Sequence, residues 1–266
     1  MYRDIEKSII KKYRKEIWSK FVKGVKEFEL IKENDKIAVC ISGGKDSFLL
    51  AKCMEELKRH GKFHYDLEFI IMNPGYNKEN LNKIKENLGK VNIKAHIFDT
   101  EIFQIADTTT NPCYLCARMR RGYLYSYAQK LGCNKIALGH HYDDVIETIM
   151  MNLLFTGNYS SMVPKLHSDN FEGMELIRPL YYVREKDIIS WAKFNELDFI
   201  DCGCSVTKKN DGKRKATKEL IKNLNEFYKE ADKSIFRSSF NVNMNTILGC
   251  KLKNGERKEF LDDYDV

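Results

Sequence analysis

The sequence predicts an α/β protein: a parallel sheet with helices on both faces, an N-terminal helix before it and a C-terminal helical extension after it. Three observations predict this. Strand-like apolar runs recur at Ile37–Ile41, Leu67–Met72, Ile93–Phe98 and Lys135–Gly139, with a shorter one at Leu176–Arg178. Helical patterns lie between them, near residues 46–60, 78–89, 114–131 and 142–155. Such alternation implies crossover connections and parallel strands. The third observation is the run Ser42-Gly43-Gly44-Lys45-Asp46-Ser47, placed between the first strand and the helix begun by Phe48-Leu49-Leu50-Ala51.

The remaining elements follow in order. Residues 4–30 carry Ile9, Ile10, Tyr13, Ile17, Phe21, Val22, Val25, Phe28 and Leu30. Their spacing, mostly three and four, predicts one or two amphipathic helices. Past the sheet, Arg184–Phe194 reads as a helix opened by Arg184-Glu185-Lys186-Asp187. Residues 207–218 hold Lys208, Lys209, Lys213, Arg214, Lys215 and Lys218 against the single acid Asp211. This stretch is a solvated loop or a phosphate-contacting arm. Helices are expected near 216–229 and 232–240, and the charged tail from Lys251 is expected to fray. The expected divisions are a helical segment at 1–30, the sheet domain at 31–200, the helical extension at 201–250 and a tail at 251–266. There is no internal repeat.

Composition narrows the class. The 266 residues are 43% hydrophobic, enough for a proper core. Lys and Arg number 45 against 38 Asp and Glu, a formal charge of +7 that suits a polyanionic partner such as RNA. No run of 18 apolar residues predicts a membrane span. The start, Met1-Tyr2-Arg3-Asp4-Ile5-Glu6-Lys7, lacks an apolar secretory segment, so a cytoplasmic location is expected. The eight cysteines of a chain in that reducing compartment read as core thiols, metal ligands or catalytic thiols rather than disulfides.

The run at Ser42–Ser47 carries the strongest chemistry. Small residues between a strand and a helix let backbone N–H groups close around phosphate, and the helix N-terminus adds partial positive charge. Ser42 and Ser47 add hydroxyls, and Lys45 adds a cation. A Walker A loop is excluded, because Val39 and Asp46 stand where that motif needs Gly and Ser or Thr. In such sheets ligands gather at the carboxyl ends of strands. Ser42, Asn73-Pro74-Gly75 and Gly139-His140-His141 all sit at such ends and can converge on one pocket.

Cys113 and Cys116 form C-x-x-C on one helical face, where both sulfurs can bind one metal. The motif alone fits half a zinc site, a redox dithiol or part of an iron–sulfur site. The other close pair is Cys202 and Cys204. Cys40 and Cys53 sit in apolar patterns and read as core. The cations Arg118, Arg120 and Arg121 favour thiolates and would attract phosphates. Gly139-His140-His141-Tyr142-Asp143-Asp144 opens a helix that Asp143 or Asp144 could cap. A carboxylate there could instead hold Mg²⁺ on phosphates. Adjacent His residues point apart, which speaks against a zinc site at His140 and His141.

Taken in order, S-G-G-K-D-S, C-Y-L-C-A-R-M-R-R-G, A-L-G-H-H-Y-D-D and I-R-P-L-Y-Y-V-R-E-K-D-I resemble the tRNA 2-thiocytidine synthetase family, over roughly residues 15–245. More distantly the chain is similar to the 2-thiouridine synthetases, which carry zinc-finger modules this chain lacks. The resemblance implies a PP-loop ATP pyrophosphatase domain, of the adenine nucleotide α hydrolase type. It implies ATP and Mg²⁺ bound there, a [4Fe–4S] cluster on three cysteines, a tRNA substrate and a homodimer. Ser42, Gly43, Gly44, Lys45, Asp46 and Ser47 match the phosphate loop. With Asn73, Gly139 and His140 they form the implied nucleotide site. Lys45, Asp46, Asp143 and Asp144 form the implied catalytic set. Cys113 and Cys116 match two cluster ligands. The third is Cys204, with Cys202 as alternative, since the family's C-x-x-C-G is replaced here by Cys202-Gly203-Cys204-Ser205.

The activity so implied is tRNA thiolation. AMP is transferred from ATP to a pyrimidine carbonyl, expected at cytidine C2, and sulfide or a sulfur-donor protein then displaces it. Arg118–Arg121, Arg184, Lys186 and residues 208–218 are candidate contacts to RNA phosphates. The rival expectations are a cluster-dependent desulfidase acting on thiolated tRNA or nucleobases, another PP-loop adenylating ligase, and an RNA-binding module with a structural zinc.

Overall fold

The computed structural model describes residues 2–61, 64–103, 112–200, 212–252 and 254–264. The N-terminal segment is one continuous helical rod. It runs as α1 (Tyr2–Lys7), π-type turns at Ser8–Lys12 and Arg14–Trp18, and α2 (Ser19–Glu27). Its buried apolar side chains are Ile5, Ile9, Tyr13, Ile17, Phe21 and Val25, spaced by four. On an α-helix a four-residue repeat drifts by about 40° per step. The wider π turns cancel that drift and keep the stripe on one face.

The sheet holds β1 (Lys36–Cys40), β2 (Asp66–Asn73), β3 (His96–Asp99), β4 (Lys135–Ala137), β5 (Lys165–His167) and β6 (Glu175–Ile177), in the order β3-β2-β1-β4-β6-β5. All pairs are parallel except β5 with β6, where Leu166 faces Leu176. The helices between them are α3 (Lys45–His60), α4 (Lys78–Val91), α5 (Pro112–Lys130), α6 (Tyr142–Thr156) and α7 (Glu185–Phe194). After residue 211 come α8 (Gly212–Phe227) and α9 (Ala231–Ser238). The first β1 connection runs outward to β2 and β3, and the chain then returns to β4 on β1's other side. The strand order therefore reverses between β1 and β4, which opens a crevice there.

Alternation along β1 separates two cores. Ile37, Val39 and Ile41 face the N-terminal rod, α3 and α7 through Phe21, Phe48, Leu49 and Trp191. Ala38 and Cys40 face α5 through Tyr125 and Ala128. A third cluster joins α6, α8 and α9 through Val145, Ile149, Ile221 and Phe236. Two buried lysines tie the parts together. Lys52 pairs with Glu6 of α1 at 2.9 Å, and Lys135 pairs with Asp35 at 2.8 Å and Glu175 at 3.1 Å.

The helix expected at 216–229 starts earlier, so Lys213, Arg214, Lys215 and Lys218 belong to α8 rather than to a loop. The charged tail is ordered as a hairpin, β7 (Gly249–Lys251) against β8 (Arg257–Glu259), where fraying was expected. Among the described residues no helix is long and apolar enough to cross a membrane.

Candidate active site

A cavity of about 290 Å³ opens at the carboxyl ends of β1, β2 and β4. Ser42, Asp46 and Ser47 line it on one side, and Gly139, His140 and Asp144 on another. Cys40, Met72, Leu124 and Leu138 give it apolar walls, and Arg120 completes it. The expected convergence of the strand ends is thus realised for β1 and β4.

The loop is shaped by its own small residues. Gly43 has φ +90°, a conformation that disfavours any side chain, and a Cβ there would meet Ile200 at 2.7 Å and Ile84 at 2.9 Å. Gly44 is extended and α3 starts at Lys45. The Ser47 hydroxyl donates to the Gly44 carbonyl at 2.8 Å and accepts the Ser42 N–H at 3.1 Å, closing the loop on the first helical turn. Gly139 lines the cavity and also meets a packing need. A Cβ at that position would lie 3.0 Å from the Asp46 carbonyl carbon and 3.0 Å from the Ser47 nitrogen. The bare backbone lets the end of β4 pass against the start of α3.

Asn73 lies outside the cavity lining and acts through a turn. Its amide oxygen accepts the N–H groups of Gly75 at 3.2 Å and Tyr76 at 2.8 Å, and its amide nitrogen donates to Asp99 at 2.8 Å. Tyr76, thereby oriented, donates its hydroxyl to the Ser42 carbonyl at 3.1 Å and lines the cavity.

The two adjacent carboxylates diverge. Asp144 lines the cavity, accepts the His141 N–H at 2.9 Å in a reciprocal cap of α6, and pairs with Arg214 of α8. Asp143 turns away. It accepts the Glu185 N–H at 2.6 Å at the start of α7 and meets Arg184 at 3.2 Å. Arg184 pairs also with Asp232 and lies over the Tyr142 ring at 4.6 Å, so its charge ties α6, α7 and α9 together.

The titratable groups are shifted for identifiable reasons. Burial raises Asp46 above the carboxylate range against the pull of His141 and Lys45. Its Oδ1 is buried and accepts no hydrogen bond among the described residues, although Lys45 lies 3.3 Å away. Burial lowers Lys45, but Asp46 and Glu185 outweigh it, and the ammonium stays above its ordinary value. Burial lowers His140 to about 4, and its Nδ1 is buried without a partner among the described residues. The Nε of Arg120 is likewise buried and unpartnered among the described residues.

Of the expected cluster ligands, Cys116 is described. It is buried beside Met72, Ile102 and Leu124, and Met72 and Leu124 are also cavity walls. The side chain of Cys113, and Cys202 and Cys204 entirely, lie outside the described residues. Cys40 and Cys53 are core thiols, pushed far up by burial. Sequence reasoning missed Tyr76 and the site role of Glu185. Glu185 had been visible only as part of a polar helix opening.

Fold and loop together define an ATP-binding α/β protein of the PP-loop class. Residues 13–209 match the PP-loop domain family. A tRNA-cytidine(32) 2-sulfurtransferase of Geobacter metallireducens is 38% identical over 91% of this chain and 95% of its own length. One from Shewanella denitrificans is 35% identical, over 88% of this chain and 73% of its own. The U34-tRNA thiolase NcsA from Methanococcus maripaludis, solved with its [4Fe-4S] cluster, has a TM-score of 0.65 at 24% identity. The match covers 89% of this chain and 82% of that one, and establishes the shared fold. The chain belongs to the PP-loop family and, within it, to the tRNA-cytidine(32) 2-sulfurtransferases.

Proposed function

We propose that the protein is an ATP-dependent tRNA sulfurtransferase that replaces the C2 oxygen of a cytidine, at tRNA position 32 as in its named relatives, by sulfur. The observation that carries this reading is the single cavity in which the phosphate loop faces Asp144 and His140 across walls shared with Cys116. A pyrimidine oxygen is a poor leaving group. Attack of that oxygen on the α-phosphorus breaks the bond to the β-phosphate and releases pyrophosphate. Hydrosulfide then adds to C2, AMP departs with the former carbonyl oxygen, and the proton on sulfur is lost. No electron changes hands.

The residues divide the work accordingly. The Gly43–Gly44 backbone, Ser42 and Ser47 bind the β- and γ-phosphates, and Lys45 offsets the charge that develops there. Asp46, through an Oδ1 that accepts no hydrogen bond among the described residues, and Asp144 would hold Mg²⁺ on the phosphates. Met72, Leu138 and Leu124 exclude water around the reacting base. His140, neutral near physiological pH, donates or accepts a hydrogen bond at the nucleotide without adding charge.

Cys113, Cys116 and Cys204, with Cys202 as the alternative third ligand, would hold a [4Fe–4S] cluster. Such a cluster supplies an iron position open to sulfide. Two features support the placement. Cys116 lies behind the cavity wall. Ile200, the last described residue before residues 201–211, packs on Gly43 of the phosphate loop. A sulfide or sulfur-donor protein as donor, a homodimer and a cytoplasmic setting complete the reading.

The test is mass spectrometry of tRNA nucleosides from cells with and without the gene. The reading expects 2-thiocytidine to vanish with the gene and to return when the purified enzyme, ATP and sulfide are added anaerobically. Unchanged 2-thiocytidine would reject the substrate. A rise of thiolated nucleoside in the deletion would reverse the direction to desulfidation.

A further inference from the structure

Glu185 lies outside the phosphate loop, yet together with Asp46 it holds the loop's lysine. Its Oε1 is 3.1 Å from the Lys45 ammonium, and its Oε2 pairs with Lys218 of α8. The carboxylate is placed rigidly, because the Glu185 N–H is anchored by Asp143 at 2.6 Å and the side chain is largely buried. Lys218 is more than half exposed. One carboxylate therefore serves two cations, one belonging to the nucleotide site and one to the helix that follows residues 201–211.

We infer that Glu185 is a positioning residue that exchanges counter-ions when nucleotide binds, releasing Lys45 to the triphosphate and keeping Lys218 as its partner. This rests on the reading that ATP occupies the Ser42–Ser47 loop. The argument is one of charge. A triphosphate brings about four negative charges to the loop, and a carboxylate 3.1 Å from Lys45 competes with them for the same ammonium. Lys218 draws Glu185 toward α8 and so lessens the competition. Linkage requires the converse: phosphate that takes Lys45 leaves Glu185 to α8, and binding at the loop strengthens the docking of α8. Before the exchange Glu185 is ionised, since burial is outweighed by Lys218 and Lys45 and its carboxyl sits at about 2.

The inference gives effects of opposite sign. Calorimetric titration with α,β-methylene-ATP, which cannot be cleaved at the α–β bond, reads them on the full chain. Glu185→Gln, which keeps shape and the backbone anchor, should bind the analogue about fivefold more tightly. Lys218→Met should bind it about fivefold more weakly in the natural background and lose that effect in the Glu185→Gln background. A merely structural Glu185 would loosen α7 on substitution and weaken binding instead. Weaker or unchanged binding by Glu185→Gln, with wild-type binding intact, overturns the exchange and leaves the ATP reading standing. Should Glu185→Gln fail to fold, an equal effect of Lys218→Leu and a charge-preserving Lys218→Arg would overturn it. Absence of binding by the wild-type chain overturns both readings.

Discussion

The carboxylate of Asp143 accepts the backbone N–H of Glu185 at 2.6 Å, whereas its neighbour Asp144 lines the cavity. Two carboxylates adjacent in sequence are thus committed to different tasks. Asp143→Ala leaves the first N–H of α7 without its acceptor and removes one of the two carboxylates that Arg184 meets. It should cost about 2 kcal/mol of stability, read as a lowered melting temperature. Asp143→Asn retains an acceptor and should keep most of the turnover. Asp144→Asn should lower kcat by about 100-fold. A larger kcat loss at Asp143→Asn than at Asp144→Asn would reverse the assignment.

Gly139 is required by backbone proximity. Gly139→Ala places its methyl 3.0 Å from both the Asp46 carbonyl carbon and the Ser47 nitrogen, atoms that move only if the start of α3 moves. The expected loss is about 1–3 kcal/mol together with weaker ATP binding. Gly44→Ala meets nothing nearer than Ser42 Oγ at 3.8 Å and should leave the melting temperature within a degree or two of the wild type. Equal melting temperatures for both variants would show that α3 yields freely.

Acid should destabilise the fold through His140. Burial is the largest cause holding its imidazole at about 4, with Arg178, Arg214 and His141 adding to it and Asp144 opposing. The unfolded chain takes up this proton from about pH 6.5 downward. The unfolded state therefore binds more protons between about pH 6.5 and about pH 4, and stability is lost as pH falls through that window. His140→Gln should flatten the fall of melting temperature over this range. An unchanged slope would assign the acid sensitivity to other groups.

Anaerobically purified protein should hold about four irons per chain and absorb broadly in the visible. Cys113→Ala should abolish this iron, and so should the substitution of whichever of Cys204 or Cys202 is the third ligand. Cys40→Ala and Cys53→Ala should retain it, because burial keeps both groups as protonated core thiols. One zinc and no iron in the wild-type protein would sink the cluster reading.

Much of this was legible in one dimension. Period-two and period-four patterns report which side chains must leave water, and they located the strands β1, β2 and β4 and the helices α3 to α7 to within a few residues. Residues 4–30 were legible as helix, but the π-type winding that aligns Ile5, Ile9, Tyr13, Ile17, Phe21 and Val25 was not. The three-residue strand β5 and the β7–β8 hairpin were not legible. Such short polar strands exist only because a partner strand satisfies their backbone groups.

By itself the sequence determined the phosphate loop, the order of strands and helices, and the residue types available for the chemistry, because these depend on neighbours along the chain. The tertiary structure alone decided that Asp143 faces α7 while Asp144 faces the cavity. It also decided that Gly139 passes against Asp46, and that Glu185, 140 residues from Lys45, holds its ammonium. The reason is physical. Electrostatic and steric contacts act over a few ångströms of space, and the folding of the sheet brings together groups that the chain keeps far apart.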